Sequence, residues 1–201
     1  MRKTTVMIVL ASLLLFGSCE KKMFEFTGGI NQTKIFTLDE ISGNFSESKT
    51  ITAAEILDNL DVPSDARIKT VNVEALSLRV TVREDNEASL LTVSGSVVEQ
   101  GGRSFLFQDY ALPIEGAVGV DTPWVGLNAL IATGISRLKG KLEGFIKGLD
   151  SQSFDISVSG ASSPPGQRVA LDLHLRVKIT ITYDQCVDVL KGAVGGRDCD
   201  I

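Results

Sequence analysis

The sequence predicts an α+β domain that is mainly β: an antiparallel bent sheet or β-sandwich with one long amphipathic helix inserted between strands. Three observations carry this. Large apolar side chains recur at every second position from Val169 to Tyr183, the period of a half-buried strand. Trp124, Leu127, Ile131, Ile135, Leu138, Leu142, Phe145 and Leu149 recur at steps of three or four, the apolar stripe of a helix. Aromatics make up only 6% of the chain while β-branched residues are plentiful, which favours strands. Strand patterns on both sides of the stripe place the helix as an insertion in an otherwise antiparallel fold.

The elements follow in order. Phe24 and Phe26 alternate with polar neighbours, Gly28-Gly29 interrupts them, and Thr33 to Leu38 reads as another short strand. Ser42 to Thr50 is polar and Ser-rich and reads as a loop. Thr52 and Glu55 have capping-box spacing, which opens a short helix through about Leu60, and Pro63 closes that region. Ile68 to Val82 is a long strand whose apolar phase switches between Val73 and Leu76, so a bulge is expected near Glu74-Ala75. Asp85-Asn86 marks a turn, Leu91, Val93 and Val97 a strand, Gly101-Gly102 a hairpin, and Ser104 to Ile114 the returning strand. Thr122 as N-cap and Pro123 at the first helical position then start the long helix, predicted over 123–148. Phe154 to Val158 and Val169 to Tyr183 complete the sheet, separated by a turn at Ser162 to Gln167. Residues 23–201 thus read as a single domain.

The N-terminus has a different character. Arg2 and Lys3 precede an 11-residue apolar run, Val6 to Phe16, and then Gly17, Ser18 and Cys19. This is the layout of a secretory signal peptide. As a helix the run reaches roughly 16 Å, against about 30 Å of hydrocarbon in a bilayer, too short for a permanent span. Leu15-Phe16-Gly17-Ser18-Cys19 resembles the bacterial lipobox, with Phe16 where Leu is usual. The resemblance covers about 20 residues. It implies cleavage after residue 18, acylation of Cys19, and a lipoprotein whose lipid anchor holds it to a membrane. Residues 19–22 then form a lipidated tether. Glu20 is not the Asp associated with inner-membrane retention in some bacteria, which points to the outer membrane of the cell envelope.

Charge and composition exclude other classes. Without Arg2 and Lys3 the chain has 18 basic against 25 acidic residues, a net charge of −7, and no basic footprint for nucleic acid. Cys186 and Cys199 form a candidate disulfide in an exported chain; the alternative is two free thiols. His174, the single histidine, falls on the polar side of its strand and reads as solvated. One histidine and two distant cysteines do not make a usual zinc site. Ser136-Arg137-Leu138-Lys139 matches a Ser-x-x-Lys pattern without its companion elements, so surface residues of the helix explain it. Asp184, Asp188, Asp198 and Asp200 read as a solvated acidic tail. Gly140, Gly144 and Gly148 share one helix face, which suggests close packing on a strand. Arg137, Lys139, Lys141 and Lys147 make the helix basic, which would suit an anionic membrane if the apolar stripe were not needed for the core.

No catalytic constellation, metal set or cofactor motif emerges. The expectation is a non-enzymatic, lipid-anchored envelope protein acting as a binding or scaffold module for protein or glycan partners. The alternative is a carrier of an apolar, lipid-like ligand held between helix and sheet.

Overall fold

A computed structural model describes residues 19–100, 102–190 and 195–199. The expected signal peptide, residues 1–18, lies outside the described residues, as does Asp200. The described chain forms β1 (Cys19–Glu40), β2 (Asn44–Ile51), α1 (Ala53–Asp58), β3 (Arg67–Val82), β4 (Leu90–Glu99), β5 (Gly102–Pro113), β6 (Val125–Gly126), α2 (Ala132–Ile146), β7 (Phe154–Ser163), β8 (Val169–Leu190) and β9 (Arg197–Asp198). Two antiparallel sheets face each other, one ordered β6-β3-β8-β1-β9 and the other β2-β7-β4-β5.

The alternation in β8 places Leu171, Leu173, Leu175, Ile179 and Ile181 in the interior. From the opposing sheet, Leu91, Val93, Val97, Ile156 and Val158 meet them. The chain crosses between sheets at the tight turn from β1 to β2 and again from β7 to β8. The phase switch in β3 is a register shift between Val73 and Ala75, and a second shift lies between Ile68 and Thr70. Thr52 caps α1 by accepting from the Glu55 amide at 3.3 Å. The Glu55 carboxylate does not return the capping-box bond; it binds Gln32 at 2.8 Å and Lys34 at 2.6 Å, tying α1 to β1.

The predicted fold class needs correction. The chain is a β-sandwich with two short helices, not an α+β fold with a long amphipathic helix over 123–148. Helix α2 begins nine residues later, at Ala132. Residues 119–127 instead run along β3 as an irregular edge strand. The Gly119 amide donates to Val82 O at 2.8 Å, Thr122 to Val80 O at 2.9 Å and Leu127 to Leu76 O at 2.9 Å. An open β3 edge has unpaired backbone groups, and filling that ladder outweighs the helical spacing of Trp124, Leu127 and Ile131. At its other end α2 stops where Gly148 takes a φ of +67°, and Leu149 N–H bonds back to Gly144 O at 2.8 Å.

Helix α2 plugs the space between the sheets. Leu138, Leu142 and Phe145 are buried, and Leu138 and Leu142 face Leu175, Val177 and Ile179 of β8 across a void of about 10 Å³. That is room for one water at most. The segment expected as a loop, Ser42 to Thr50, mostly belongs to β2, which pairs with β7 along its whole length. Its outward positions, Ser46, Ser48 and Thr50, disguise it, while Phe45 and Ile51 point into the core.

Strands β1 and β8 pair over 22 residues, from Cys19↔Leu190 to Glu40↔Val169. Cys19 to Lys22, expected as a tether, are therefore the first residues of β1. Past Arg67, where β3 begins, the β1–β8 pair continues as a ribbon. Short strand β9 joins it at Lys22 and Met23.

Candidate functional site

The end of the sandwich farthest from Cys19 carries a cleft of about 480 Å³. Its charged walls are Asp39 from β1, Glu84 and Asp85 from the turn after β3, Asp172 from β8, and Arg83 and Arg168. Four carboxylates against two guanidiniums make it acidic. Arg168 is held by Asp39 at 3.0 Å and Asp85 at 3.4 Å, and its backbone amide donates to Glu87 at 3.3 Å. Arg168 thereby fixes the end of β1 and the turn after β3 to the start of β8.

Thr81 and Asp172 also begin a polar assembly on the outer face of the β3–β8 sheet. Alternation along the strands and the register Arg79↔His174 and Ser77↔Arg176 bring Arg79, His174 and Arg176 side by side. Trp124, from the segment beside β3, lies over them and is half-buried. The Arg79 guanidinium sits 4.6 Å and that of Arg176 4.1 Å from the Trp124 ring centroid, within cation–π range. Arg79 also pairs with Asp121 at 2.6 Å. The Thr122 hydroxyl accepts from the Val80 amide at 3.0 Å, latching the segment.

His174 lies on the side of β8 opposite the core, but it is not solvated. Only 7% of it is exposed, and Trp124 meets it edge-on at 6.4 Å. Its Nε2 lies 3.1 Å from Thr81 Oγ1, whose hydroxyl donates to Asp121. That hydroxyl has a single proton, so Nε2 is the donor to Thr81. Nδ1 is buried without a protein partner. Burial first, and then the Arg79 charge, pull the imidazole below its ordinary pKa. The Thr81 hydroxyl and then Arg79 hold the Asp121 carboxyl below the usual carboxylate range. Nucleophilic catalysis needs a different order: a hydroxyl donating to histidine, and a carboxylate on the other ring nitrogen. Here the carboxylate takes the hydroxyl proton, and the chain of bonds orients side chains.

The remaining sequence-predicted residues are dispersed. Cys186 and Cys199 form a disulfide with a Cα separation of 6.1 Å, which ties β9 to β8 at the Cys19 end. The side chain of Cys19 is outside the described residues. Of the acidic group, Asp184 is not solvated: it is 6% exposed and pairs with Lys69 at 3.2 Å and Arg197 at 3.1 Å, while Asp188 and Asp198 are exposed and Asp198 holds Lys22 at 2.6 Å. Among the described residues no group of three or more His, Cys, Asp or Glu could hold a metal ion. Ser136 is exposed and Lys139 donates to Asn72 at 2.9 Å. The basic residues of α2 are spent within the fold: Arg137 on Ser104 at 2.8 Å, Lys141 on Asp150 at 2.8 Å, Lys147 on Glu143 at 2.5 Å. Of the three glycines expected to meet a neighbouring strand, none does. Gly140 and Gly148 face open space and Gly144 faces Asp150; the close approach is at Gly134, against β5.

The sequence reading missed Trp124, Arg79 and Arg176 as a group. Arg176 and His174 share the outward phase of β8, a signal legible in the alternation. Trp124 fits the helical stripe by its spacing, and only the pairing of 119–127 with β3 separates it.

No protein-family model matches the chain, and no curated protein matches it. Among solved structures, the 60-mer BFDV capsid protein is 7% identical, with 82% of this chain and 95% of that chain covered and a TM-score of 0.29. The infectious bursal disease virus Gx strain structure is 11% identical, covering 88% and 39%, with a TM-score of 0.26. Desmodium yellow mottle tymovirus is 9% identical, covering 85% and 93%, with a TM-score of 0.27. At such scores these likenesses carry no argument about this chain.

Proposed function

We propose that this chain is a lipid-anchored protein of the cell envelope, held in the outer membrane by acyl chains on Cys19, whose folded domain binds a protein or glycan partner and catalyses no reaction. The observation that carries the binding reading is the layout along β1. The acylation residue opens this strand and the acidic cleft lies beside its last residues, Asp39 and Glu40. A wide polar cleft at the end remote from an anchor faces what approaches the membrane. Its carboxylates suit sugar hydroxyls or basic side chains, and the ordered Trp124 assembly braces one wall. The carrier alternative would need the space that Leu138 and Leu142 fill.

Cell fractionation with metabolic acyl labelling tests the anchor. Cys19→Ser is expected to lose the label and leave the membrane fraction with its melting temperature unchanged. Retention of the label by the variant would refute the reading. Turnover of an ester, peptide or glycan substrate by the purified domain, lost on a point mutation in the cleft, would refute the claim of binding without chemistry.

A further inference from the structure

Cys19 is not followed by a flexible linker; its backbone is already paired with Leu190. The next three residues pair with Val187 to Val189, and Lys22 and Met23 also pair with β9 on their free side. The Cys186–Cys199 disulfide and the Lys22–Asp198 ion pair lock β9 in place. A two-stranded ribbon alone is marginal in water, whereas a third strand and a cross-link make the stub rigid. A tether of n flexible residues would let the domain wander by roughly 5–6 Å × √n; here n is zero.

Resting on the anchor reading above, we propose that the β1–β8 ribbon is a stalk that meets the bilayer end-on and holds the domain upright. At its tip Leu190, opposite Cys19, is 68% exposed, with Glu20, Lys21, Asp188 and Val189 in the next two rungs of the ribbon. Standing on this tip places Leu190 among the lipid headgroups next to the acyl chains. Lying flat on the β1 face would instead press Glu25, Asn31, Thr33 and Asp39 against the surface, with Ile35 the exposed large apolar side chain among them. A domain of net charge −7 is also repelled by anionic headgroups, which disfavours broad contact and leaves the narrow tip as the favoured footing. Strand β1, 22 residues long, then sets the reach. At about 3.3 Å per residue the acidic cleft stands up to about 70 Å from the anchor, and the first 20 Å or so contains only the stub.

Neutron reflectometry on the acylated full chain, in a supported bilayer of phosphatidylethanolamine and phosphatidylglycerol, tests this. The expected protein layer is about 60–70 Å thick and thin in density next to the headgroups, as the strand rise requires. Inserting twelve Gly and Ser residues between Cys19 and Glu20 is expected to collapse that low-density zone and broaden the layer. A wild-type layer of about 30 Å, the thickness of two stacked sheets with their side chains, would overturn the upright stance alone. So would a linker variant with the wild-type profile. Mass spectrometry on the same sample separates the two claims: an unacylated Cys19 overturns the anchor reading and this inference together.

Discussion

The same substitution at two positions of α2 should change stability in opposite directions. A Cβ built on Gly134 would lie 1.9 Å from the carbonyl oxygen of Phe105 and 2.5 Å from its carbon, whereas one on Gly140 meets nothing within 4 Å. Both glycines lie within the helix, so alanine gains about 1 kcal/mol of helix propensity at either site. At Gly134 the obstacle is backbone of β5, not a side chain that can swing away, and the helix must retreat by more than an ångström. Overpacking of this kind costs about 1–3 kcal/mol, and a backbone clash belongs at the upper end. Gly134→Ala should therefore lose about 2 kcal/mol net, and Gly140→Ala should gain about 0.5–1 kcal/mol. Urea titration of both variants reads the difference directly. In thermal melts they should be separated by about 6–12 °C, from 2–4 °C per kcal/mol for a domain of this size. If Gly134→Ala were stabilised like Gly140→Ala, the packing of α2 on β5 described above would be wrong.

Two further outcomes follow from the outer-face assembly. His174 has a folded pKa below its ordinary 6.5, so the unfolded chain takes up the proton first as pH falls. Its contribution is complete above about pH 6.5 and is lost as pH drops toward the folded value. Denaturant midpoints between pH 7.5 and 5 should fall in the wild type and stay flatter in His174→Gln; equal slopes would exclude His174 as the source. Trp124→Ala should cost about 2 kcal/mol, less than a fully buried tryptophan because the ring is half-buried but includes two cation–π contacts. It should open Val125 and Leu127 to thermolysin, and an unchanged digestion pattern would show that the ring does not hold the segment.

How far the fold could be read in the sequence depends on where each element gets its stability. Strand β8 is central, and its inward face alone dictates its alternation, so its period survives in the residues. The β3 bulge near Glu74-Ala75 was legible for the same reason: a two-residue period cannot change phase without an extra residue. The N-cap at Thr52 is local and was legible too. Strand β2 was not, because it is an edge strand with a serine-rich outer face and only Phe45 and Ile51 anchoring it inward. The segment 119–127 is hidden from the sequence because its partners, the β3 edge and Arg176, are 37 or more residues away, while its spacing happens to fit a helix. The candidate site suffered the same fate. Arg79, His174 and Arg176 are placed by strand register and Trp124 by a non-local latch, and neither is visible before the strands are paired.

The anchor proposed above makes Cys19 the lipid-bearing N-terminus of an exported chain. Intact mass and N-terminal peptide mass of the protein from the membrane fraction test this without an intermediate assumption. The expected result is a chain beginning at Cys19, with residues 1–18 gone and the added mass of acyl groups on that residue. A chain retaining residues 1–18, or a Cys19 of unmodified mass in membrane-bound protein, would contradict it.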